Sequence, residues 1–109
     1  MHTKELIQYV RPDGRIPFRE WLLHLRAPQA RARVRTRLDR LSLGNPGDCK
    51  PVGEGVSEIR IRYGPGYRIY FAEHSGKIII LLCGGDKSSQ RKDIKVAQEY
   101  WQDFKRRQS

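Results

Sequence analysis

The chain has 109 residues, of which 22 are lysine or arginine and 12 are aspartate or glutamate, so its formal net charge is +10. This length suits one domain, predicted over residues 1–109, and the hydrophobic content of 38% is ordinary for a folded protein rather than a disordered one. The charge predicts a polyanionic partner (RNA, DNA or an acidic protein), and no apolar run reaches the roughly 20 residues that cross a bilayer.

The amino-terminal residues predict a cytoplasmic protein that begins with a strand. Residues 2–5 are polar or charged, unlike a signal peptide. Apolar side chains then dominate residues 5–10, which predicts a short strand, and the Pro-Asp-Gly sequence at residues 12–14 is a turn signal that ends it. The two cysteines, Cys49 and Cys83, lack metal-binding or redox spacing, so no disulfide framework is expected.

Two helices are predicted next. Pro17 suits the first turn of a helix, because its missing N–H costs nothing there. Apolar residues follow it at helical spacing: Phe18, Trp21, Leu22 and Leu25. A second helix is expected to start near Pro28 and to stop at Gly44. Its apolar face carries Ala27, Ala30, Val34, Leu38 and Leu41.

The second predicted helix is also rich in arginine. The residues are Arg31, Arg33, Arg35, Arg37 and Arg40. They suit nucleic-acid binding, a solvated helix face, or contact with an acidic partner protein. The sequence leaves these three interpretations open.

A β-hairpin is predicted after a loose, glycine-rich loop that includes a short strand near residues 49–52. Residues 57–63 and 67–71 alternate apolar and polar side chains around the Gly-Pro-Gly turn at residues 64–66. Alternation sends successive side chains to opposite faces, so Ile59 and Ile61 should face a core. The opposite face then gathers Glu58, Arg60, Arg62, Arg68 and Tyr70. Three guanidiniums and a phenol make a poor core and a good phosphate-binding surface.

The last third of the chain predicts a buried strand and a final helix. Residues 78–83 are all apolar, as in a central strand that is covered on both faces. Gly84-Gly85-Asp86 ends this strand, and Ser88 or Ser89 is predicted to cap the helix. Its apolar positions are Ile94, Ala97, Trp101 and Phe104. The element order β-α-α-β-β-β-α predicts an α+β domain, with the helices on one side of a mostly antiparallel sheet.

The junction between the last strand and the last helix carries several cations. Lys87, Arg91 and Lys92 lie there together with Gln90. A helix amino terminus offers free N–H groups and the positive end of the helix dipole, both of which favour anions. If the last strand pairs with the hairpin, this junction lies near one end of the sheet face that carries the arginines. Its cations then add to a positive field that suits a phosphodiester.

The chemistry open to this set of residues is limited by arginine, which does not lose its proton in proteins. Arg60 and Arg68 can bind a phosphate through forked hydrogen bonds and stabilise the extra charge of a pentavalent transition state. A proton donor and a proton acceptor must therefore come from other side chains. The candidates on this face are Glu58, Tyr70 and Lys87.

No cofactor or metal is expected from the sequence. The histidines, His2, His24 and His74, are scattered and form no ligand spacing with each other or with cysteine. The Gly-Asp-Lys-Ser sequence at residues 85–88 lacks the spacing of a nucleotide-binding phosphate loop. Nothing local indicates a Ser-His-Asp or Cys-His triad.

Several segments, taken in order, carry a family resemblance. They are Lys50-Pro51-Val52-Gly53, Ser57-Glu58-Ile59-Arg60, Gly66-Tyr67-Arg68-Ile69-Tyr70-Phe71, Leu81-Leu82-Cys83-Gly84-Gly85-Asp86-Lys87-Ser88-Ser89-Gln90 and Asp93-Ile94. Together they closely resemble the RelE/HigB/ParE toxin superfamily, and the nearest branch is the phage-derived addiction module killer proteins. The resemblance covers nearly the whole chain, and the order and spacing of the motifs are more specific than any one of them.

The resemblance implies a RelE-like fold, a toxin role in a type II toxin–antitoxin module, and a cognate antitoxin protein as partner. RelE- and HigB-type toxins cut mRNA on the ribosome without a metal, by attack of the 2′-hydroxyl on the adjacent phosphate. The ribosome and mRNA are therefore implied partners. By position, this chain matches the basic residues of the family at Arg60, Arg62, Arg68 and Lys87.

The predicted site combines both lines of reasoning. Catalytic roles are assigned to Arg60, Arg68, Lys87 and Glu58, and RNA contacts to Arg62, Tyr70, Gln90, Arg91 and Lys92. Relatives often place a tyrosine or histidine for proton transfer where this chain has residues 90–93, so the donor and acceptor stay unassigned. ParE-type relatives share the fold but poison DNA gyrase by protein contact, which is the alternative function. A non-catalytic basic binding module is the third hypothesis.

Overall fold

The computed structural model describes residues 3–108, which form five strands, three α-helices and one 3-10 turn. The strands are β1 (Glu5–Gln8), β2 (Cys49–Pro51), β3 (Val56–Ile61), β4 (Tyr67–His74) and β5 (Ile78–Gly85). The helices are α1 (Pro17–His24), α2 (Pro28–Ser42) and α3 (Gln90–Gln108), with the 3-10 turn at Lys87–Ser89 just before α3. None of these helices is both long and apolar enough to cross a membrane.

The five strands form one sheet in the order β1-β5-β4-β3-β2. β1 runs parallel to β5, and the other three neighbouring pairs are antiparallel. The predicted α+β class, the mostly antiparallel sheet and the short strand near residue 49 are confirmed, and the arrangement is consistent with a RelE-like fold. β5 lies in the interior of the sheet, as its unbroken apolar run predicts.

Helices cover both faces of the sheet, so the expectation that they lie on one side is wrong. One core lies under α1 and α2 and includes Phe18, Val34, Ile59, Ile69 and Leu81. The other lies under α3 and includes Val56, Ile80, Leu82, Ala97 and Trp101. The physical reason is β5, whose apolar side chains alternate between the two faces and therefore need cover on each.

Two glycines at the end of β5 let both helical layers approach the sheet closely. A Cβ atom on Gly84 would overlap the indole of Trp21 from α1, and one on Gly85 would overlap the carboxylate of Asp93 from α3. Gly85 also pairs with Arg68 of the neighbouring strand. The start of α3 is therefore held beside the β3–β4 hairpin.

Candidate functional site

Arg60 and Arg68 are direct cross-strand neighbours on the face of the sheet that α3 covers. In the antiparallel pairing of β3 with β4, Arg60 lies opposite Arg68 and Glu58 lies opposite Tyr70. These positions alternate with the apolar ones, so the four side chains share a face, as the sequence predicts. Like charges directly opposite each other destabilise a sheet, so both arginines need nearby counter-charges.

Glu58 supplies the counter-charge for Arg68. Its side chain is fully buried, and its Oε2 atom lies 3.6 Å from Nε of Arg68, whose own side chain is only 10% exposed. The same carboxylate oxygen accepts hydrogen bonds from the Tyr70 hydroxyl (3.0 Å) and the Gln90 amide (2.9 Å). Burial, and then the hydrogen bond to Glu58, raise the pKa of Tyr70 well above its ordinary value. Tyr70 therefore stays protonated and acts as a donor to Glu58.

Unsatisfied polar atoms concentrate in this cluster. Within residues 3–108, the buried side-chain atoms that lack a hydrogen-bond partner are Oε1 of Glu58, Nε of Arg60 and Nε of Arg68. Buried polar atoms without partners are rare in folded proteins and cost free energy. Their presence in one cluster concentrates this cost at the sheet face that carries Arg60 and Arg68.

Arg60 and Arg62 share a second carboxylate, that of Asp48 in the loop before β2. Nη2 of Arg60 lies 3.2 Å from Oδ1 of Asp48, and Nε of Arg62 lies 3.3 Å from Oδ2. Although partial desolvation opposes ionisation, the hydrogen bonds and charges of the two arginines hold the pKa of Asp48 below its ordinary value. The Arg62 side chain is 83% exposed and that of Arg60 is 37% exposed, so both guanidiniums can reach a ligand.

Lys87 meets Arg68 at the β3–β4 turn. Its backbone N–H donates to the carbonyl oxygen of Pro65 (3.4 Å). A Cβ atom on Gly66 would lie 3.4 Å from Nη1 of Arg68 and 3.6 Å from Cβ of Lys87. Nη1 of Arg68 also donates to the Gly66 carbonyl oxygen (2.9 Å). Gly66 adopts a φ of +78°, which other residues rarely adopt, so this close junction of two cationic residues depends on glycine.

The start of the last helix is set by Asp86, not by Ser88 or Ser89 as predicted. The Asp86 carboxylate accepts a hydrogen bond from the backbone N–H of Ser88 (2.9 Å), and the Ser89 hydroxyl oxygen accepts one from the Asp86 N–H (3.4 Å). This reciprocal pair is a capping box. The Ser88 hydroxyl also donates to the Asp86 carboxylate, and this bond is the main reason that the pKa of Asp86 lies below its ordinary value. An ionised Asp86 therefore fixes the position of Lys87 and of Gln90 behind it.

The predicted site residues occupy two distinct regions. The hairpin, Lys87 and Gln90 come together around the Glu58–Arg68 pair. Arg91 and Lys92 are exposed on the first turn of α3. Lys92 lines a different cleft, between α1 and α3, that also includes Arg11 and His24. Glu58 and Tyr70 are fully buried beneath the arginines, so neither side chain reaches the surface.

Sequence reasoning missed Asp48 and underused the arginines of α2. Asp48 lies in a loop of no regular pattern, and the antiparallel pairing of β2 with β3 brings it beside Arg60, 12 residues later in the chain. Arg37 reaches the same loop and donates to the carbonyl oxygens of Arg60 (2.7 Å), Pro46 (2.9 Å) and Asp48 (3.2 Å). A lone acid before a short strand in a basic sequence is the one signal that could have indicated this contact.

A metal centre is not indicated by the part of the chain that the structure describes. No group of three or more histidine, cysteine, aspartate or glutamate side chains suited to a metal ion occurs among residues 3–108. His24 and His74 lie in that range, and His2 lies outside it. The cluster itself presents guanidiniums and the Lys87 ammonium.

These groups suit a phosphodiester. Arg60, Arg62 and Lys87 surround the turn with charge-assisted donors, and a small cleft of about 170 Å³ lies between Arg60, Arg62 and Arg68. Phosphate oxygens accept strong hydrogen bonds from guanidiniums, and a second anionic oxygen on the same phosphorus increases the attraction. The arrangement can bind a nucleic-acid backbone and stabilise additional negative charge on it.

Two comparisons with known proteins identify similar sequences. A family model described as phage-derived protein Gp49-like (DUF891) matches residues 20–102. An uncharacterized protein of Haemophilus influenzae is 48% identical over 83 residues, which are 76% of this chain and 84% of that protein. The family match includes Asp48, the hairpin and Lys87.

Proposed function

Because the chain belongs to the Gp49-like family of phage-derived proteins, a toxin-like family of the HigB/RelE type, we propose that it is the toxin of a type II toxin–antitoxin module. Its activity is metal-independent, ribosome-dependent cleavage of mRNA. The proposal rests on the family, on the cationic site at the hairpin, and on the net charge of +10. The cognate partner is a small antitoxin protein that neutralises the toxin.

One observation carries the enzymatic part of the proposal. The buried polar atoms that lack partners, which belong to Glu58, Arg60 and Arg68, all lie where two strands and the Lys87 junction converge. A purely structural ion-pair cluster would be stabilised by completing these hydrogen bonds. Phosphate oxygens accept hydrogen bonds from guanidiniums, so a bound substrate can supply acceptors to Arg60 and Arg68, whereas Oε1 of Glu58 is itself an acceptor and gains no partner from it.

In the proposed reaction, the 2′-oxygen of one nucleotide forms a bond to the adjacent phosphorus, and the bond from phosphorus to the 5′-oxygen of the next nucleotide breaks. The products are a 2′,3′-cyclic phosphate and a 5′-hydroxyl. Arg60 and Arg68 stabilise the charge that develops on the non-bridging oxygens. Lys87 donates a proton to the leaving 5′-oxygen, and the proton of the 2′-hydroxyl passes to solvent.

Glu58 and Tyr70 take a positioning role in this mechanism. Both are fully buried and hydrogen-bonded to each other, so they act on the substrate only through Arg68 and Gln90. The Glu58 carboxylate orients the Arg68 guanidinium and offsets its charge. This replaces the sequence-based hypothesis that Glu58 transfers a proton or that Tyr70 contacts RNA.

The test is primer extension on mRNA from cells that express the protein. We expect cuts within translated codons, and we expect Lys87→Ala to abolish them, since Lys87 is exposed and its loss leaves the core intact. Arg68→Lys is the companion variant, because it keeps a positive charge beside Glu58 while removing the forked donor. Arg35→Ala, on the exposed surface of α2, is the charge-matched control and should cut normally.

Growth arrest with intact transcripts contradicts the proposal. Inhibited DNA supercoiling in the same cells would then favour the gyrase alternative. Salt-sensitive RNA binding without growth arrest would favour a non-catalytic binding module.

A further inference from the structure

A second basic cleft, of about 850 Å³, lies between α2 and the part of β3 just beyond β2. Arg33, Arg37 and Arg40 line it from the helix, and Arg60 of β3 and Arg62, just after β3, line it from the sheet. The helical residues share one face because they are four and three positions apart. Arg33 and Arg40 are separated by about 10 Å along the helix axis.

The three helical arginines differ in how they are used. Arg37 is committed to the fold, since it donates to three backbone carbonyl oxygens. Arg33 lies over the ring of Tyr63, 4.5 Å from its centroid, which holds its guanidinium at the cleft. Arg40 is exposed at the other end of the cleft. Two guanidiniums of α2 are therefore available to a ligand.

The walls of this cleft suit a phosphate backbone better than a protein. Its non-arginine lining comes mainly from small or polar side chains such as Ala32 and Thr36, with Ile61 buried behind them. Protein interfaces are built around large apolar or aromatic anchors and have few charges at their centre. A cleft with five guanidiniums and no exposed apolar anchor therefore suits a phosphate backbone better than a protein surface.

Asp48 marks the position of an anion in this cleft. Its carboxylate bridges Arg60 and Arg62, with oxygen-to-nitrogen distances of 3.2 and 3.3 Å. Arginine binds carboxylate and phosphate with the same planar set of donors. The carboxylate therefore occupies a place that a phosphate group can also take.

The large cleft adjoins the small cleft at Arg68, because Arg60 and Arg62 line both. A single extended chain can therefore contact these two arginines from either cleft. Such a chain, with one phosphate beside Arg68, can place a neighbouring phosphate near Arg33 or Arg40.

We propose that the α2 cleft is a second binding site for the backbone of single-stranded RNA, next to the cleavage position, and that Asp48 competes with RNA phosphate for Arg60 and Arg62. This inference rests on the proposed function. It assigns Arg33 and Arg40 of α2 to nucleic acid rather than to solvent or to an acidic protein. It also implies that the Asp48 carboxylate weakens RNA binding.

The experiment measures binding of a short single-stranded RNA with 2′-O-methyl groups, which cannot be cut through its 2′-oxygen. Fluorescence anisotropy is recorded across a salt series for the wild type and two double variants. Arg33→Ala/Arg40→Ala should bind about tenfold more weakly or worse, since each lost arginine removes a charge-assisted hydrogen bond. Its salt slope should fall by about 1.4, from about 0.7 for each phosphate contact.

The matched control is Arg26→Ala/Arg35→Ala, which removes the same charge from exposed positions that do not line the cleft. It should keep the wild-type salt slope. Equal slopes for the two double variants overturn the inference while leaving the proposed function intact. A wild type that binds no RNA also overturns the inference, while ribosome-dependent cleavage is tested separately by primer extension.

Asp48→Asn tests the competing carboxylate. It should bind the same RNA several-fold more tightly than the wild type, and Asp39→Asn, which changes the same charge on the outer surface of α2, should not. Unchanged or weaker binding by a folded Asp48→Asn variant contradicts the role of Asp48. Polyglutamate serves as the acidic-protein probe, and selective loss of polyglutamate binding in Arg33→Ala/Arg40→Ala would assign the cleft to an acidic protein instead.

Discussion

The carboxylate of Glu58 lies 3.6 Å from Nε of Arg68, in a pair that is almost completely shielded from solvent. An arginine placed directly opposite another arginine across two strands is unfavourable unless a counter-charge is close. Glu58 provides it from the same strand as Arg60. With this counter-charge, the sheet can carry the Arg68 guanidinium at the edge of the core. The other N–H donors of Arg68 still face the β3–β4 turn.

Glu58→Gln should destabilise the protein substantially. Arg68 would keep its charge without a buried partner, and breaking a buried ion pair in this way costs about 3–5 kcal/mol of unfolding free energy. Urea denaturation measures the change. The control is Glu73→Gln, because Glu73 pairs with Lys4 at the surface and such pairs contribute less than about 1 kcal/mol. Similar losses in the two variants would show that Arg68 does not depend on Glu58.

Arg37→Ala should destabilise the loop that carries Asp48. Its guanidinium donates three hydrogen bonds to backbone carbonyl oxygens, two of them in that loop. We expect a loss of about 2 kcal/mol or more, because each bond involves a charged donor. Arg35→Ala on the same helix should change stability little. Hydrogen exchange should also increase at the Arg60 N–H, which donates to Asp48, and unchanged exchange there would contradict this role for Arg37.

Gly84→Ala should destabilise the protein by overpacking. Its added methyl group would overlap the Trp21 indole, and such insertions cost about 1–3 kcal/mol. Trp21→Leu in the same background should recover part of the loss, because the smaller side chain makes room for the methyl group. The thermal midpoints of the four proteins in this cycle provide the measurement. Strictly additive losses would mean that the two residues do not interact.

Asp93 should make stability fall as the pH rises through the acidic range. Burial raises the pKa of its carboxyl group, although the hydrogen bond from Ser89 opposes this effect. Between the ordinary and the raised pKa, the folded state binds more protons than the unfolded state, so unfolding becomes easier as the pH increases. Asp93→Asn removes the carboxyl group and should remove this decline.

The measurement is the difference in thermal midpoint between the wild type and Asp93→Asn at a series of pH values. Carboxyl groups such as Asp86 are present in both proteins, so the difference removes their contributions. The lowered pKa of Asp86 makes stability rise with pH, which is the opposite dependence. A pH-independent difference would contradict the assignment. Ser89→Ala should steepen the decline, since it removes the hydrogen bond that favours the ionised form.

Much of the sheet followed from local patterns. Alternation in the hairpin placed Arg60 and Arg68 on one face, and the apolar run of residues 78–83 identified an interior strand, whereas the register that sets Arg60 opposite Arg68 is seen only in the structure. That same run implied a second covered face, and hence a helix on each side of the sheet. The sequence interpretation assigned all helices to one side because helical periodicity reveals which face of a helix is buried, but not the layer against which it packs.

The charges were harder to predict because their partners are distant in sequence. Alternation shows that Glu58 shares a face with the arginines, but exposure depends on α3, which covers Glu58 and Tyr70 and supplies Gln90. Asp48 lies in an irregular loop, so no periodicity connects it with Arg60 and Arg62. The prediction of an open cationic surface therefore suits Arg62, whereas Arg68 is nearly buried beside a carboxylate.

The most direct test of the proposed activity uses purified protein, ribosomes and a defined mRNA in a reconstituted translation reaction. We predict that the wild type cuts the mRNA when ribosomes are translating it, leaving a 2′,3′-cyclic phosphate and a 5′-hydroxyl, and that Arg35→Ala does the same while Lys87→Ala does not. Intact mRNA with the folded wild type, or equal cutting by Lys87→Ala, would contradict the account.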